Sequence, residues 1–250
     1  MEKPVIIVSD IHLGAVPERT ERAFREFLGW VQREGSELLI NGDLFDFWFE
    51  YRTVIPRKHF RVVAKIAEVV EAGVPVTFIG GNHDAWAGSF LSGEVGMRLL
   101  DGPVEMTLAG RRTLVAHGDG VGRGDYKYRA LRKVIRHPVS IGAFRILHPD
   151  LGGRIAGMAS TTKHKAGGEE AAARGRASFI EAWARERLAE DAGLDLVVAG
   201  HAHVPSVVEA APGRFYANAG DWIRNYTYLV LRPGTSAPEL HTWPVDGEQG

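Results

Sequence analysis

Five short blocks of the sequence set metal-competent side chains close together, most of them beside a glycine: Asp10-Ile11-His12, Gly42-Asp43, Gly80-Gly81-Asn82-His83-Asp84, His117-Gly118-Asp119 and Gly200-His201-Ala202-His203. Singly these signals are weak, because Asp10 could cap a helix and His12 could be an ordinary hydrogen-bonded loop residue. Pooled, they offer imidazoles, carboxylates and an amide, a donor mixture that suits Mn, Fe or Zn better than Ca or Mg. In an extended segment His201 and His203 fall on the same side, the placement needed to ligate neighbouring ions. The chain has no cysteine, so thiolate-held zinc, disulfides and thiol catalysis are excluded.

What must position these blocks is a set of buried strands. Apolar, β-branched runs of strand length precede them at residues 4–9, 37–41, 75–80, 112–117 and 195–201. Between the first of these, Ala23, Phe24, Phe27, Trp30 and Val31 recur at helical spacing, as do Phe60, Val63, Ala67 and Val70. This is βαβ patterning with a largely parallel sheet, and in such sheets sites form where loops leave the carboxyl ends of the strands. Beyond residue 201 the pattern changes to short strands divided by turns, for which a second, mixed or antiparallel sheet is expected. Residues 123–192 carry helical segments broken by Pro138, Pro149, Gly152-Gly153 and Gly167-Gly168. They read as a helical cap inserted into one domain spanning residues 1–250.

In this order, D-x-H, G-D, G-N-H-D, H-G-D and G-H-x-H, the blocks resemble the calcineurin-like metallophosphoesterase superfamily. The resemblance implies an α/β fold, a four-layer α/β-β/α sandwich, with two divalent ions, Mn first among Mn, Fe and Zn. It assigns Asp10, His12 and His203 to one ion, Asn82, His117 and His201 to the other, and Asp43 to a bridge between them. It also places His83 beside the metals, hydrogen-bonding a phosphoryl oxygen or protonating a leaving group, with Asp84 orienting it. Two close cations repel, so a bridging carboxylate is needed, and a water between them becomes a nucleophile for attack on phosphorus. Asp46 and Asn41 are expected to brace loops. His59, His137, His148 and His241 match no motif.

Charge narrows the substrate. Although the formal net charge is −1, residues 123–165 hold ten Lys or Arg against Asp125 and Asp150, a local balance of +8 inside an otherwise acidic chain. Such a block suits an anionic substrate, nucleic acid or an anionic membrane surface. Its cations are interleaved with Tyr126, Tyr128, Leu131, Val134, Ile135, Val139, Ile141, Phe144, Ile146 and Leu147, an apolar company more apt for acyl chains than for a polynucleotide. Residues 42–51, 117–134 and 159–167 resemble the UDP-2,3-diacylglucosamine pyrophosphatases of lipid A biosynthesis. By that resemblance the substrate is an anionic, lipid-bearing nucleotide sugar, which Asn82, His83, Asp119, Tyr126, Ser160 and Lys163 approach at the cytoplasmic face of the inner membrane. His83 stands where many of those enzymes carry Arg, and residues 218–231 look like a divergent branch of them. A nuclease or nucleotide phosphodiesterase is the alternative reading, and a non-catalytic scaffold, which would lack ligands, a remote one. No run of about 18 apolar residues is present, and the N-terminus lacks a signal-peptide pattern, so a cytoplasmic protein is expected.

Overall fold

A computed structural model of the chain describes residues 2–84, 86–122, 130, 133–152, 154, 169–235 and 237–245. Two sheets lie face to face. The first has the order β11-β10-β1-β2-β3-β4, built from β1 (Val5–Val8), β2 (Glu37–Asn41), β3 (Val76–Ile79), β4 (Arg98–Leu100), β10 (Thr227–Leu231) and β11 (Glu239–Thr242). In the second, β5 (Val104–Leu108), β6 (Arg111–Val115), β7 (Leu196–Ala199), β8 (Ser206–Ala211) and β9 (Arg214–Asn218) run in the order β5-β6-β7-β9-β8. Helices α1 (Glu18–Glu34) and α2 (Phe60–Glu71) link β1, β2 and β3, which pair in parallel. Helix α3 (Pro138–Arg145) and helix α4 (Glu169–Glu190) lie between β6 and β7, also a parallel pair.

The layering follows from the two-residue period of strands buried on both faces. In β1, Val5 and Ile7 point between the sheets and join Leu39, Ile79, Val115, Leu196 and Val198, whereas Ile6 and Val8 point outward to Phe24, Phe27 and Leu28 of α1. On the far side, Ile180, Ala184 and Leu188 of α4 cover Val197, Ala199 and Tyr216 of the second sheet. Helix, sheet, sheet and helix thus make four layers, the architecture expected. Glu18 and Glu21 in the first turn of α1 and Arg33 in its last favour the helix dipole.

One expectation is corrected in part. The second sheet is mixed, as expected, but of the strands after residue 201 it takes only β8 and β9. β8 and β9 extend the sheet of β6 and β7, while β10 and β11 return to the first, with Ile6 opposite Val230. The cause is burial: Leu229 and Leu231 fill the space between sheets, and Tyr228 and Val230 the helical side, so β10 needs a position covered on both faces. β4 and β5, which no sequence signal marked, extend one sheet each. No helix among the described residues is long and apolar enough to cross a membrane.

Candidate metal centre

All five blocks meet at one end of the two sheets. Ile11 and His12 donate their backbone N–H groups to the Asp43 carbonyl, each at 2.9 Å, so the loop after β1 rides on the loop after β2. Gly200 N–H donates to the His117 carbonyl at 2.7 Å, joining the loops after β6 and β7. Five of the seven non-glycine residues with positive φ among the described residues are Asp10, Asp43, His12, His201 and His203, at φ between 51 and 62°. For side chains bearing a Cβ this conformation costs roughly 1–2 kcal/mol each and persists only where surrounding contacts enforce it. Gly81 leaves room for the Asp43 carboxylate and Gly200 for that of Asp10; a Cβ on Gly200 would lie 2.6 Å from Asp10 Oδ2.

Two clusters result, Asp10 with His12 and His203, and Asp43 with His117 and His201, and in each the ligand atoms lie within 4.8 Å of one another. Asp43 Oδ2 stands between them, 3.6 Å from His12 Nε2 and 3.3 Å from His117 Nε2. Asp10 Oδ1 is 3.2 Å from His203 Nε2 and 3.9 Å from His12 Nε2. His117 Nδ1 meets the Asn41 carbonyl at 2.9 Å, which fixes the tautomer and turns Nε2 to Asp43. Asn41 also donates to the Ala116 carbonyl at 2.9 Å, so it braces loops, as expected.

The donors fit divalent ions. Both ring nitrogens of His12, His117 Nε2 and Asn82 Oδ1 are buried without a hydrogen-bond partner, an arrangement that is costly unless a ligand completes it. Without ions, protons take their place. Burial opposes charge on His12, yet the nearby carboxylates of Asp10, Asp46 and Asp43 raise it to about 10. Burial likewise opposes charge on His203, which Asp10 and Asp221 raise to about 9. His117, buried beside Asp43, is also raised, whereas burial and the neighbouring His117 charge lower His201 to about 4. The Asp10 and Asp43 carboxyls, though desolvated, are held low by these imidazoles.

His83 joins His12 and Asp43 in a third group, its ring 4.8 Å from that of His12 and edge to face. The expected orienting role of Asp84 is corrected. Asp84 accepts the backbone N–H groups of Gly81 at 2.8 Å, Phe45 at 3.2 Å and Asp43 at 3.3 Å, and so pins the loops after β2 and β3 together. Burial and the Asp43 charge raise its carboxyl to about 7. Asp46 takes the orienting place, with its carbonyl 2.9 Å from His83 Nδ1. Asp119 is buried and lines a small hollow with Gly80, His117 and Val121. Tyr126, Ser160 and Lys163 lie outside the described residues.

Sequence reasoning missed three contributors. Arg136 donates to the carbonyls of Gly80 at 3.3 Å and Gly81 at 3.5 Å and pairs with Asp101 at 2.6 Å, gripping the metal-side loop from behind. Glu50 accepts N–H groups from Trp48, Gly88, Phe90 and Leu91, and Asp221 lies 3.6 Å from His203 Nδ1. Asn218-Ala219-Gly220-Asp221 is a polar block at a strand end like the others, a signal that could have found Asp221.

The chain belongs to the calcineurin-like phosphoesterase family, whose profile matches residues 3–205, and it is a metal-dependent hydrolase. It is similar throughout to proteins named UDP-2,3-diacylglucosamine hydrolase. That of Salmonella agona is 31% identical over 245 residues, 96% of this chain and 99% of its own. That of Porphyromonas gingivalis is 28% identical over 248 residues, 92% and 94%. Among solved structures, a hypothetical protein of Pyrococcus horikoshii OT3 shares the fold, with a TM-score of 0.51 at 12% identity over 99% of this chain and 90% of that one.

Proposed function

We propose that the protein is a pyrophosphohydrolase that cleaves UDP-2,3-diacylglucosamine to UMP and 2,3-diacylglucosamine 1-phosphate, a step of lipid A biosynthesis. The observation that carries the chemistry is Asp43, one carboxylate oxygen shared between two clusters in which His12 Nε2 and His117 Nε2 are buried without a hydrogen-bond partner. The substrate rests on the names of full-length relatives and on the cationic, apolar composition of residues 123–165. Bound there, two divalent ions, Mn first among Mn, Fe and Zn, would supply the charge that polarises a phosphoryl oxygen and makes water acidic enough to attack at neutral pH.

The residues of the chain divide the remaining work. Asp10, His12 and His203 would hold one ion and Asn82, His117 and His201 the other, with the Asp43 carboxylate offsetting their repulsion. A carbonyl can only accept, so the Asp46 carbonyl keeps a hydrogen on His83 Nδ1 and leaves Nε2 for the substrate. When protonated, Nε2 donates to a phosphoryl oxygen or to the departing oxygen of UMP or of the sugar phosphate. By the family resemblance, Asp119, Tyr126, Ser160 and Lys163 would approach the sugar phosphate.

Within the single domain spanning 1–250, the cap reading applies to the part of residues 123–192 ahead of α4, since α4 covers the second sheet as a layer of the body. Helix α3 supports that role: Phe144 packs 4.5 Å from Phe49, and Arg145 donates to the Glu50 carbonyl at 3.3 Å, while Val139 and Ile146 are 71% and 86% exposed. Exposed Lys133, Arg145 and Arg154 accompany these apolar side chains. This surface suits acyl chains and peripheral contact with the cytoplasmic face of an anionic membrane.

The test is incubation of the Mn-loaded protein with UDP-2,3-diacylglucosamine and, separately, with bis-p-nitrophenyl phosphate, following UMP and p-nitrophenol. Release of UMP is expected. Turnover of the generic diester alone would remove the lipid substrate and leave a metallophosphodiesterase.

A further inference from the structure

The loop after β9 ends in an acidic residue that neither the five blocks nor the proposed mechanism employs. Asp221 is almost fully buried, and its two carboxylate oxygens face different partners. Oδ1 accepts the backbone N–H groups of Ile223 at 2.9 Å, Arg224 at 2.7 Å and Asn225 at 3.1 Å, which closes the turn. Oδ2 faces Asn225 Nδ2 at 3.0 Å and His203 Nδ1 at 3.6 Å. The turn is rigid, because Trp222 is wholly buried against Phe24 and Phe27 and donates through Nε1 to the Thr227 carbonyl at 3.0 Å.

The same turn reaches both members of the contact between Asp10 and His203. Trp222 N–H donates to the Asp10 carbonyl at 3.0 Å, and Asn225 Nδ2 to the His203 carbonyl at 3.2 Å. Those bonds hold only backbone, and the ring of His203 needs support of its own. Its side chain is 26% exposed, more than those of His12 and His117, and its backbone sits at φ 59°. A group at its second nitrogen sets which way such a ring presents the first. Carboxylates in that place fix the tautomer and raise ligand basicity.

We infer that Asp221 is a positioning residue for His203, its Oδ2 keeping the hydrogen on Nδ1 so that Nε2 is presented to the cluster of Asp10 and His12. This rests on the reading of His203 as a metal ligand. Oδ1 is the structural half of the carboxylate and Oδ2 the half that acts on the metal site, so the two roles separate by substitution.

The experiment is calorimetric titration of the metal-free full chain with Mn²⁺ for the wild type, Asp221→Asn, Asn225→Ala and His203→Ala, beside the melting temperature of each metal-free form. Asp221→Asn keeps an oxygen for the three N–H groups and removes the charge facing His203. It is expected to melt near the wild type while binding at one of two sites weakens by about 10- to 100-fold. Asn225→Ala, which leaves the carboxylate in place, is expected to keep most of the affinity. Equal affinity of Asp221→Asn and the wild type would overturn the inference, as would an equal loss in Asn225→Ala. Wild-type binding by His203→Ala would instead remove His203 as a ligand, and the inference with it. A folding failure of Asp221→Asn is met by nitrogen-15 imidazole spectra of the Zn-loaded wild type. The signal missing in His203→Ala should report hydrogen on Nδ1, and a hydrogen on Nε2 would overturn the assignment.

Discussion

His83 is held by Asp46 and not by its sequence neighbour: Nδ1 lies 2.9 Å from the Asp46 carbonyl and 3.6 Å from the Asp46 carboxylate, while both oxygens of Asp84 serve backbone amides. The two residues of one motif therefore fail differently. His83→Ala should lower kcat by about 10²- to 10⁴-fold with metal content intact, the size of a lost acid–base group. Asp84→Ala should lower the melting temperature, since three N–H groups lose their acceptor at about 1–3 kcal/mol for each one left unsatisfied. Kinetics and thermal melts on both variants decide, and a stable, slow Asp84→Ala would return the orienting role to it.

Asp43 serves both clusters, so its loss should be felt twice. Asp43→Ala is expected to lose both ions and nearly all activity, read by elemental analysis after gel filtration. Full rates with two metals retained would end the bridging role.

Metal uptake should release protons. His12 at about 10 and His203 at about 9 are protonated near neutral pH in the metal-free protein, and ligation needs them neutral. Affinity should thus rise steadily between pH 6.5 and 9. Because both values are raised above the unfolded imidazole's, the stability they give the metal-free form is present below about pH 6.5. It is lost as pH climbs through 9 to 10. Calorimetry in buffers of different ionisation heat measures the release, and a buffer-independent heat would contradict it.

His59 gives the opposite sign. It is 5% exposed, and burial with the Lys58 charge lowers it to about 4. The stability it contributes is present above about pH 6.5 and lost as pH falls toward 4, up to about 3 kcal/mol. His59→Gln, which does not titrate, should flatten the fall in urea midpoint between pH 7.5 and 4.5. An unchanged slope would assign acid lability elsewhere.

Val139 on α3 and Ile146 at its C-cap are exposed apolar side chains. Replacing both by Glu should abolish sedimentation with vesicles rich in phosphatidylglycerol while leaving hydrolysis of bis-p-nitrophenyl phosphate unchanged. Undiminished sedimentation would move the membrane contact to another face.

The strands that carry the site were readable because each is a short, largely apolar segment ended by chemistry, and β1, β3 and β7 are buried at every residue. Pairing partners were not readable: nothing within residues 227–231 says that they lie beside β1, a neighbour fixed by which faces are covered. The ligands were legible as types at strand ends. Their supports were not, because Asp46 lies 37 residues from the His83 it holds, and nothing local in the sequence ties the Asp221 turn to His203.

Residues at left-handed φ that present the ligands are kept there by a few loop hydrogen bonds, among them those of Ile11 and His12 to Asp43, outside the regular ladders of the two sheets. On warming, such segments come loose before the layers beneath them part. Catalytic inactivation should therefore set in below the temperature at which the fold melts, leaving an intact body with a dispersed, silent centre.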